Sequence, residues 1–167
     1  MAENLVQFFI EHLGGLISKE LIVFVISLFP ILELRGGIIA AYAMGIDLLP
    51  AFAISYIGNI LPIPFILILI TAIFRLLKKT PMHSIVEKIE KKALSKSDQI
   101  EKYGYLGLFL FVAIPLPGTG GWTGALLAVL LNMNRKKSFL VIALGVFTAG
   151  IIVSIFSFGL LKAIGIG

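Results

Sequence analysis

Residues 115–121 read PLPGTGG and lie inside an otherwise apolar run that extends from residue 104 to residue 131. Proline lacks the backbone N–H and clashes with the preceding turn, so two prolines and three glycines within this stretch prevent a continuous helix. In hydrocarbon, irregular backbone must be covered by protein or by water, because every unpaired polar group is costly. The stretch therefore predicts either a broken helix that still spans a membrane or a re-entrant hairpin that returns to its own side.

A second apolar run, residues 21–46, is interrupted in the same way by residues 30–37, which read PILELRGG. In both runs the first proline is followed by a pair of glycines and then by a polar residue, Asp47 or Asn132. Matching interrupted segments in the two halves of a chain are typical of transporters built from inverted repeats. We therefore predict an all-α polytopic membrane protein, an inverted repeat with two opposed re-entrant helical hairpins.

The composition agrees with a membrane protein. Of the 167 residues, 59% are hydrophobic and 14% are charged, and the mean hydropathy is +1.06. Soluble domains average about 45–50% apolar and about 25% charged residues. The composition therefore disfavours an ordinary soluble domain, and the length leaves room for about four to six membrane passes.

The distribution of positive charge predicts the topology. Eight of the 14 Lys and Arg residues lie in residues 75–103, and three more lie at 135–137. If residues 104–131 form a re-entrant hairpin, all eleven lie on one side, which the positive-inside rule identifies as the cytoplasm. Lys19 and Lys162 then lie outside, and the tips of the two hairpins meet near the middle of the membrane. Kinked spanning helices are the alternative interpretation.

These patterns predict one transmembrane domain over residues 1–167. Its first half is 1–74, its cytoplasmic linker is 75–103, and its second half is 104–167, in the inner (cytoplasmic) membrane. Residues 2–18 have helical spacing of apolar side chains and predict an amphipathic helix at the membrane surface. Ile85, Val86 and Ile89 give the linker a weak amphipathic face.

Glu33 and Arg35 are the strongest functional signal, because a charge inside a membrane must be paired or must line a wet cavity. Residues two apart lie on different faces of a helix but on the same face of an extended segment, so an extended loop is expected after Pro30. Arg35 then binds an anionic headgroup and Glu33 carries a proton, with Asp47 as a second proton-coupling candidate at the membrane boundary. The alternative is a structural salt bridge.

The second interruption opens an apolar helix with the sequence PGTGGWTG, residues 117–124. Free N–H groups at a helix N-terminus attract anions, and glycines allow a ligand to approach the backbone. Thr119 or Thr123 is expected to cap the helix, and a tightly packed turn is the alternative role. The predicted substrate-binding residues of the whole chain are Glu33, Arg35, Gly36, Gly37, Asn59, Pro117, Gly118, Thr119, Gly120, Gly121, Trp122 and Thr123.

Several chemistries are excluded or disfavoured. The chain has no cysteine, and His12 and His83 are far apart, so we expect neither a metal site nor a cofactor. Lipid phosphatases and transferases need histidines or clustered carboxylates with a base or a metal, so we expect no catalytic residues and no enzyme activity. We interpret the basic segment as a cytoplasmic face rather than as a nucleic-acid site.

Residues 33–38 (ELRGGI) and 115–124 (PLPGTGGWTG) resemble two signature stretches of the small multidrug export protein family. Gly58-Asn59, followed by Pro62 and Pro64, resembles a third, and the resemblance extends from about residue 25 to 155. That family is similar to the DedA/VTT membrane proteins, which implies two opposed re-entrant loops and lipid translocation. The chain lacks the arginines that DedA proteins typically carry around the second loop, which leaves Arg35 as the intramembrane cation.

The expected function is a membrane transporter that translocates an anionic lipid or amphiphile, similar to a polyprenyl phosphate, with proton coupling through Glu33. The alternative is a small multidrug/proton antiporter that exports lipophilic compounds. The expected partners are membrane lipids and a small amphiphilic substrate, with no nucleic acid. A homodimer is left open.

Overall fold

The computed structural model describes residues 18–160, and every regular element in that range is helical. The all-α prediction is confirmed for this range. The amphipathic helix predicted for residues 2–18, with His12, lies outside the described residues except for Ser18, and so does Lys162.

The first interruption forms a helical hairpin of α1 (Lys19–Leu28) and α2 (Glu33–Ala43), which pack against each other. Ser18 caps α1 by accepting a hydrogen bond from the Leu21 N–H at 3.3 Å. The helix ends at Phe29, which is extended as expected for a residue before proline. Because each arm is only about 15 Å long, neither can cross a hydrocarbon core of about 30 Å alone.

The extended loop predicted after Pro30 is wrong for Glu33 and Arg35, because both lie in the first turn of α2. The chain turns within residues 29–32, where the Glu33 N–H donates to the Phe29 carbonyl at 2.8 Å. Four residues are enough to reverse the chain, so the helix resumes before the charged pair.

The second interruption also forms a hairpin, made by α6 (Asp98–Ala113) and α7 (Gly121–Leu130), with residues 114–120 between them. Gly104, with φ 58° and ψ −127°, kinks α6. Gly118 and Gly120 have φ values of 77° and 141°, which residues with a Cβ atom rarely adopt. These two glycines therefore allow the turn that the sequence predicts here.

Two stretches are long and apolar enough to cross a membrane. The first is Leu48–Leu77, which comprises α3 (Leu48–Ile60) and α4 (Ile63–Leu77) around a turn at residues 61–62. The second is Arg135–Gly159, which comprises α8 (Arg135–Ser154) and most of a π-helical segment, Ile155–Leu160. Their mean hydropathies are 2.5 and 2.7. Less than half of the most apolar part of each stretch is buried inside the protein, which suits helices that face lipid.

The polar segment contains α5 (His83–Leu94), which packs against α7. Its predicted amphipathic face is partly wrong, because Val86 is buried while Ile85 and Ile89 are exposed. The second buried apolar residue of α5 is Ala93, two turns after Val86. The spacing of seven residues is the helical repeat that defines the packed face.

The chain divides into two compact units. Unit 1 comprises residues 1–61 and 146–167, and unit 2 comprises residues 62–145. In the described residues, unit 1 contains the first hairpin, α3 and the end of α8, whereas unit 2 contains α4, α5, the second hairpin and the start of α8. The halves 1–74 and 104–167 are a different division of the chain and stay a prediction.

The same packing contact occurs in each unit. A Cβ added at Gly58, the eleventh residue of α3, would lie 2.9 Å from both the Phe24 carbonyl oxygen and the Ser27 Cβ. A Cβ added at Gly145, the eleventh residue of α8, would lie 3.2 Å from the Phe109 carbonyl oxygen and 2.8 Å from the Val112 Cβ. In both units a glycine lets the long helix touch the first arm of the preceding hairpin.

We predict that Gly58→Ala and Gly145→Ala each destabilise the protein by about 1–3 kcal/mol, because backbone and Cβ atoms cannot yield to the added methyl group. Thermal unfolding in detergent micelles measures the effect. Gly159→Ala is the control, because nothing lies within 4 Å of an added Cβ there. Equal melting temperatures for all three variants would contradict the close approach.

Single-cysteine labelling tests the predicted topology against a natural background without cysteine. We predict that Ser95→Cys and Asn134→Cys react with a membrane-impermeant maleimide from the cytoplasm, and Asp47→Cys reacts from outside. All three residues are exposed, whereas the neighbouring Ser97 is buried and is a poor label site. Labelling of positions 95 and 134 from opposite sides would show that residues 104–131 span the membrane.

Candidate functional site

Glu33 is a buried carboxylic acid at the start of α2. Its residue is 7% exposed, and its φ of 51° lies in the left-handed region, where non-glycine residues are uncommon. Such a backbone costs about 1–3 kcal/mol and clusters at functional sites. Burial and backbone strain therefore keep Glu33 a candidate functional residue of unit 1, and its role stays a prediction.

Arg35 follows in the same first turn and is half-buried. The Glu33 carboxylate and the Arg35 guanidinium attract each other electrostatically. The sequence predicted that these charges would be paired or hydrated, and the structure places both in the first turn of α2, within range of electrostatic attraction. Whether the pair binds a substrate stays a prediction.

Gly36 and Gly37 allow close helix packing within unit 1. A Cβ at Gly36 would lie 2.7 Å from the Cβ of Leu32, the N-cap of the same helix, and 3.5 Å from Ile26 Cγ2 on α1. A Cβ at Gly37 would overlap the Ser27 hydroxyl and lie 2.6 Å from the Ser55 hydroxyl oxygen. Two hydroxyl groups from different helices therefore converge on Gly37, one turn away from Glu33.

Asn59, predicted to bind substrate, is completely buried on α3 of unit 1. Asp47, the second proton-coupling candidate, is exposed at the N-cap of the same helix. The two residues therefore have different environments, because Asn59 lies in the interior and Asp47 lies at an exposed helix end.

The loop of the second hairpin is held by its own side chains. The Thr119 hydroxyl lies 3.0 Å and 2.9 Å from the Ile114 and Leu116 carbonyls. The N-cap of α7 is Gly120, and no side chain caps this helix, so the prediction that Thr119 or Thr123 caps it is wrong. The Thr119 side chain closes the loop instead.

The remaining predicted residues of this loop differ in exposure. Gly120 and Gly121 are buried, Trp122 and Thr123 are half-buried, and Pro117 and Gly118 are exposed. All lie in unit 2, whereas Glu33, Arg35, Gly36, Gly37 and Asn59 lie in unit 1. The meeting of the two tips stays a prediction.

Lys96 is a contact that the sequence analysis missed. Its ammonium group donates a hydrogen bond of 2.8 Å to the Gly118 carbonyl, so the end of the polar segment reaches the glycine loop. If the tip of the second hairpin lies at the middle of the membrane, the Lys96 ammonium group must reach the same depth. The clustering of lysines in residues 75–103 predicts the linker. It does not predict which of these lysines contacts the loop.

Unit 1 also contains an apolar cavity of about 470 Å³. It is lined by residues of α3, the end of α8 and the π-helical segment: Leu48, Leu49, Phe52, Ile151, Ser154, Ile155, Phe158 and Gly159. The Phe52 ring also contacts Tyr56 and Phe147, with centroid separations of 6.2 Å and 5.3 Å. The volume lies within the usual range for small-molecule sites.

The first hairpin reaches the helices that form this cavity. A Cβ at Gly150 would lie 2.7 Å from Phe52 Cε2 and 3.2 Å from Leu34 Cδ1. Leu34, next to Glu33, therefore packs close to Phe52, a residue of the cavity wall. This cavity cannot be predicted from the sequence, because its walls come from segments about 100 residues apart in the chain.

A groove of about 410 Å³ lies in unit 2 between α4 and the start of α8. Its apolar part is formed by Pro64, Leu67, Ile68, Phe139 and Leu140, and Arg135 and Lys136 also line it. Two cations beside an apolar groove suit an anionic amphiphile.

No group of three or more His, Cys, Asp and Glu residues that could hold a metal ion occurs within residues 18–160. The expectation that the protein has neither a metal nor a cofactor stays a prediction.

The apolar spanning-length helices and the family match together indicate a membrane protein. Residues 33–152 match the family described as "Putative small multi-drug export protein". Because the match covers more than half of the chain, the protein belongs to this family. No curated protein and no solved structure matches the chain, and no relationship to the DedA/VTT proteins is shown.

We predict that Arg35→Ala lowers stability more than the double variant Glu33→Gln/Arg35→Ala, because removing one partner leaves a buried charge uncompensated. Breaking such a pair costs about 3–5 kcal/mol when it is fully buried. Thermal unfolding of both single variants and the double variant gives the coupling energy. The exposed pair Lys78–Glu90, joined at 2.7 Å, is the control, with about 0–1 kcal/mol of coupling expected. Additive effects at positions 33 and 35 would disprove the pairing.

Proposed function

We propose that this protein is a membrane transporter that exports small lipophilic compounds in exchange for protons carried by Glu33. The observation that carries the proposal is the buried, strained Glu33 beside Arg35 in a hairpin too short to span a membrane. The export family and the apolar cavity support it.

The charged pair provides a means of coupling. While Glu33 is ionised, the pair is neutral and compatible with an apolar interior. Protonation of Glu33 removes the counter-charge of Arg35, which is unfavourable away from water. The protonated pair therefore favours a different arrangement of the hairpin, and a ligand can shift an equilibrium only by binding one arrangement better.

The apolar cavity of unit 1 supports a lipophilic substrate. Phe52 and Phe158 offer aromatic faces, while the Ser154 hydroxyl is buried and has no hydrogen-bond partner among the described residues. Such a site binds mainly through apolar contact and fixes orientation through one polar group. Because Leu34 packs near Phe52, a change at Glu33 has a direct route to this cavity.

For the membrane arrangement, we propose a multi-pass protein of the cytoplasmic membrane with two opposed re-entrant hairpins and a cytoplasmic segment 75–103. Two observations support this inverted repeat. The arms of the first hairpin are short, and each unit contains a helical hairpin and a helix that contacts its first arm. The proposal assigns the protein no catalytic reaction and no cofactor. Its partners are membrane lipids and the substrate.

A second candidate function is translocation of an anionic lipid, such as a polyprenyl phosphate. The groove of unit 2, with Arg135 and Lys136 beside an apolar floor, favours this candidate, as does Arg35 on the first hairpin. Here the phosphate would pair with the cations and the chain would lie along the groove.

Proteoliposomes with an imposed pH gradient distinguish the two candidates. We predict that the wild type moves ethidium, a lipophilic cation, and that Glu33→Gln lowers the gradient-driven rate at least about tenfold, because the amide cannot exchange a proton. Glu87→Gln, an exposed position outside the hairpins, is the matched control and should behave as wild type.

A fluorescent polyprenyl phosphate in the same vesicles provides the second arm. Movement of this lipid without movement of ethidium, with loss of activity in Arg135→Ala/Lys136→Ala, would favour the second candidate. Equal rates in wild type and Glu33→Gln would contradict proton coupling at Glu33.

A further inference from the structure

Unit 1 contains buried polar atoms that have no hydrogen-bond partner among the described residues. Ser55 and Asn59 are completely buried, and the Ser55 hydroxyl and both polar atoms of the Asn59 amide have no hydrogen-bond partner among the described residues. Buried polar groups almost always have partners, because leaving one unpaired is costly. These side chains therefore indicate a partner other than the described residues.

The unsatisfied atoms lie on one face of α3, toward the first hairpin. Ser55 and Asn59 are four residues apart, so they lie one above the other on this helix. The Ser55 and Ser27 hydroxyls converge on Gly37, and the Ser27 hydroxyl donates to the Val23 carbonyl at 2.8 Å. We call Ser27, Ser55 and Asn59 the buried polar cluster.

Unit 2 shows that the same packing does not need polar residues. Val112 contacts Gly145 there as Ser27 contacts Gly58 in unit 1. Gly124 faces Val112 and Ile142, as Gly37 faces Ser27 and Ser55. Ile142 is the eighth residue of α8 and Ser55 is the eighth residue of α3, so they occupy equivalent positions.

The position of α8 that corresponds to Asn59 is also apolar, because the twelfth residue of α8 is the buried Val146. Valine and isoleucine thus occupy the three positions that correspond to the polar residues of the cluster. The polar cluster is therefore not a requirement of this kind of helix packing.

The register of the helices places the cluster at the level of Glu33. Helices α2 and α3 pack together, and the short connection 44–47 makes them antiparallel. Gly37 faces Ser55 across the two helices. Because the helices are antiparallel, one turn back along α2 from Gly37 and one turn forward along α3 from Ser55 lead in the same direction. Glu33 therefore lies at the level of Asn59. The buried carboxyl and the unsatisfied amide therefore share one end of the helix pair.

We propose that the buried polar cluster binds water molecules that carry protons to and from Glu33. The inference rests on the proposed proton exchange and supplies its route. A hydronium ion at the cluster transfers its proton to the Glu33 carboxylate, which becomes a carboxylic acid and leaves a neutral water. The reverse transfer regenerates the carboxylate, and neither serine nor asparagine changes its covalent state.

The chemistry of the cluster favours water over a metal ion. A cation would bind the Asn59 carbonyl oxygen and the serine oxygens, but the Asn59 NH₂ group would stay unpaired. Water donates and accepts, so it can satisfy both ends of the amide and bridge the hydroxyls. Metal sites in proteins usually contain histidine or carboxylate ligands, and none of the three side chains of the cluster is of this kind.

The test follows protonation of Glu33 itself. In detergent-solubilised full-length protein, infrared spectroscopy after a pH jump records the carboxylic acid band, which Glu33→Gln assigns by removing it. We expect Asn59→Val, which introduces the residue found at the equivalent position of α8, to slow this protonation about tenfold or more. Its melting temperature should stay close to that of the wild type, because the amide is removed together with the water molecules that pair with it.

Ser55→Ala is the second variant, and it should also slow protonation while retaining the fold. It provides the test if Asn59→Val does not fold. Ser138→Ala is the matched control, because Ser138 is likewise completely buried and unsatisfied among the described residues but lies outside the cluster. It should leave the protonation rate unchanged.

Unchanged protonation rates in Asn59→Val and Ser55→Ala would overturn the proposal. Saturable binding of Na⁺ that Asn59→Val abolishes would overturn it as well, since the cluster would then be a cation site. The infrared measurement needs no substrate, so failure of the wild type to transport ethidium would reject the proposed function without affecting this test.

Discussion

A backbone polar group that leaves a helix and is buried away from water must find a partner within the protein, and such hydrogen bonds close the turns of both hairpins. In the first, the Leu32 and Glu33 N–H groups donate back to the Phe29 carbonyl, which closes the turn within four residues. In the second, Thr119 and Lys96 hold a longer loop through its carbonyls. The tight first turn therefore places a carboxyl group at a strained helix start, whereas the longer loop contains no carboxylate.

The two units solve the same packing problem with different side chains. Gly58 and Gly145 bring a long helix against the first arm of a hairpin, and the residue opposite is Ser27 in one unit and Val112 in the other. Close backbone approach requires a glycine, but nothing in it requires a polar neighbour. The difference between serine and valine at this contact is therefore evidence about chemistry rather than about folding.

Sequence reasoning predicted the interruptions and failed at their details. Proline and glycine act locally, so the positions of both hairpin turns followed from residues 30–37 and 115–121. The extended conformation expected for Glu33 and the caps expected from Thr119 and Thr123 were wrong, because the lengths of the turns are set by hydrogen bonds that composition does not reveal. The apolar cavity and the Lys96 contact depend on tertiary packing, which a single sequence does not specify.

Glu33 and the buried polar cluster add costs to stability that the helix contacts themselves do not require. A left-handed Glu33 costs about 1–3 kcal/mol, and a buried polar group without a partner among the described residues costs a similar amount. Apolar residues form equivalent contacts around Gly124 and Gly145. Because folded proteins are stable by only about 5–15 kcal/mol, costs of this size at neighbouring positions agree with the role proposed for Glu33 and its polar neighbours.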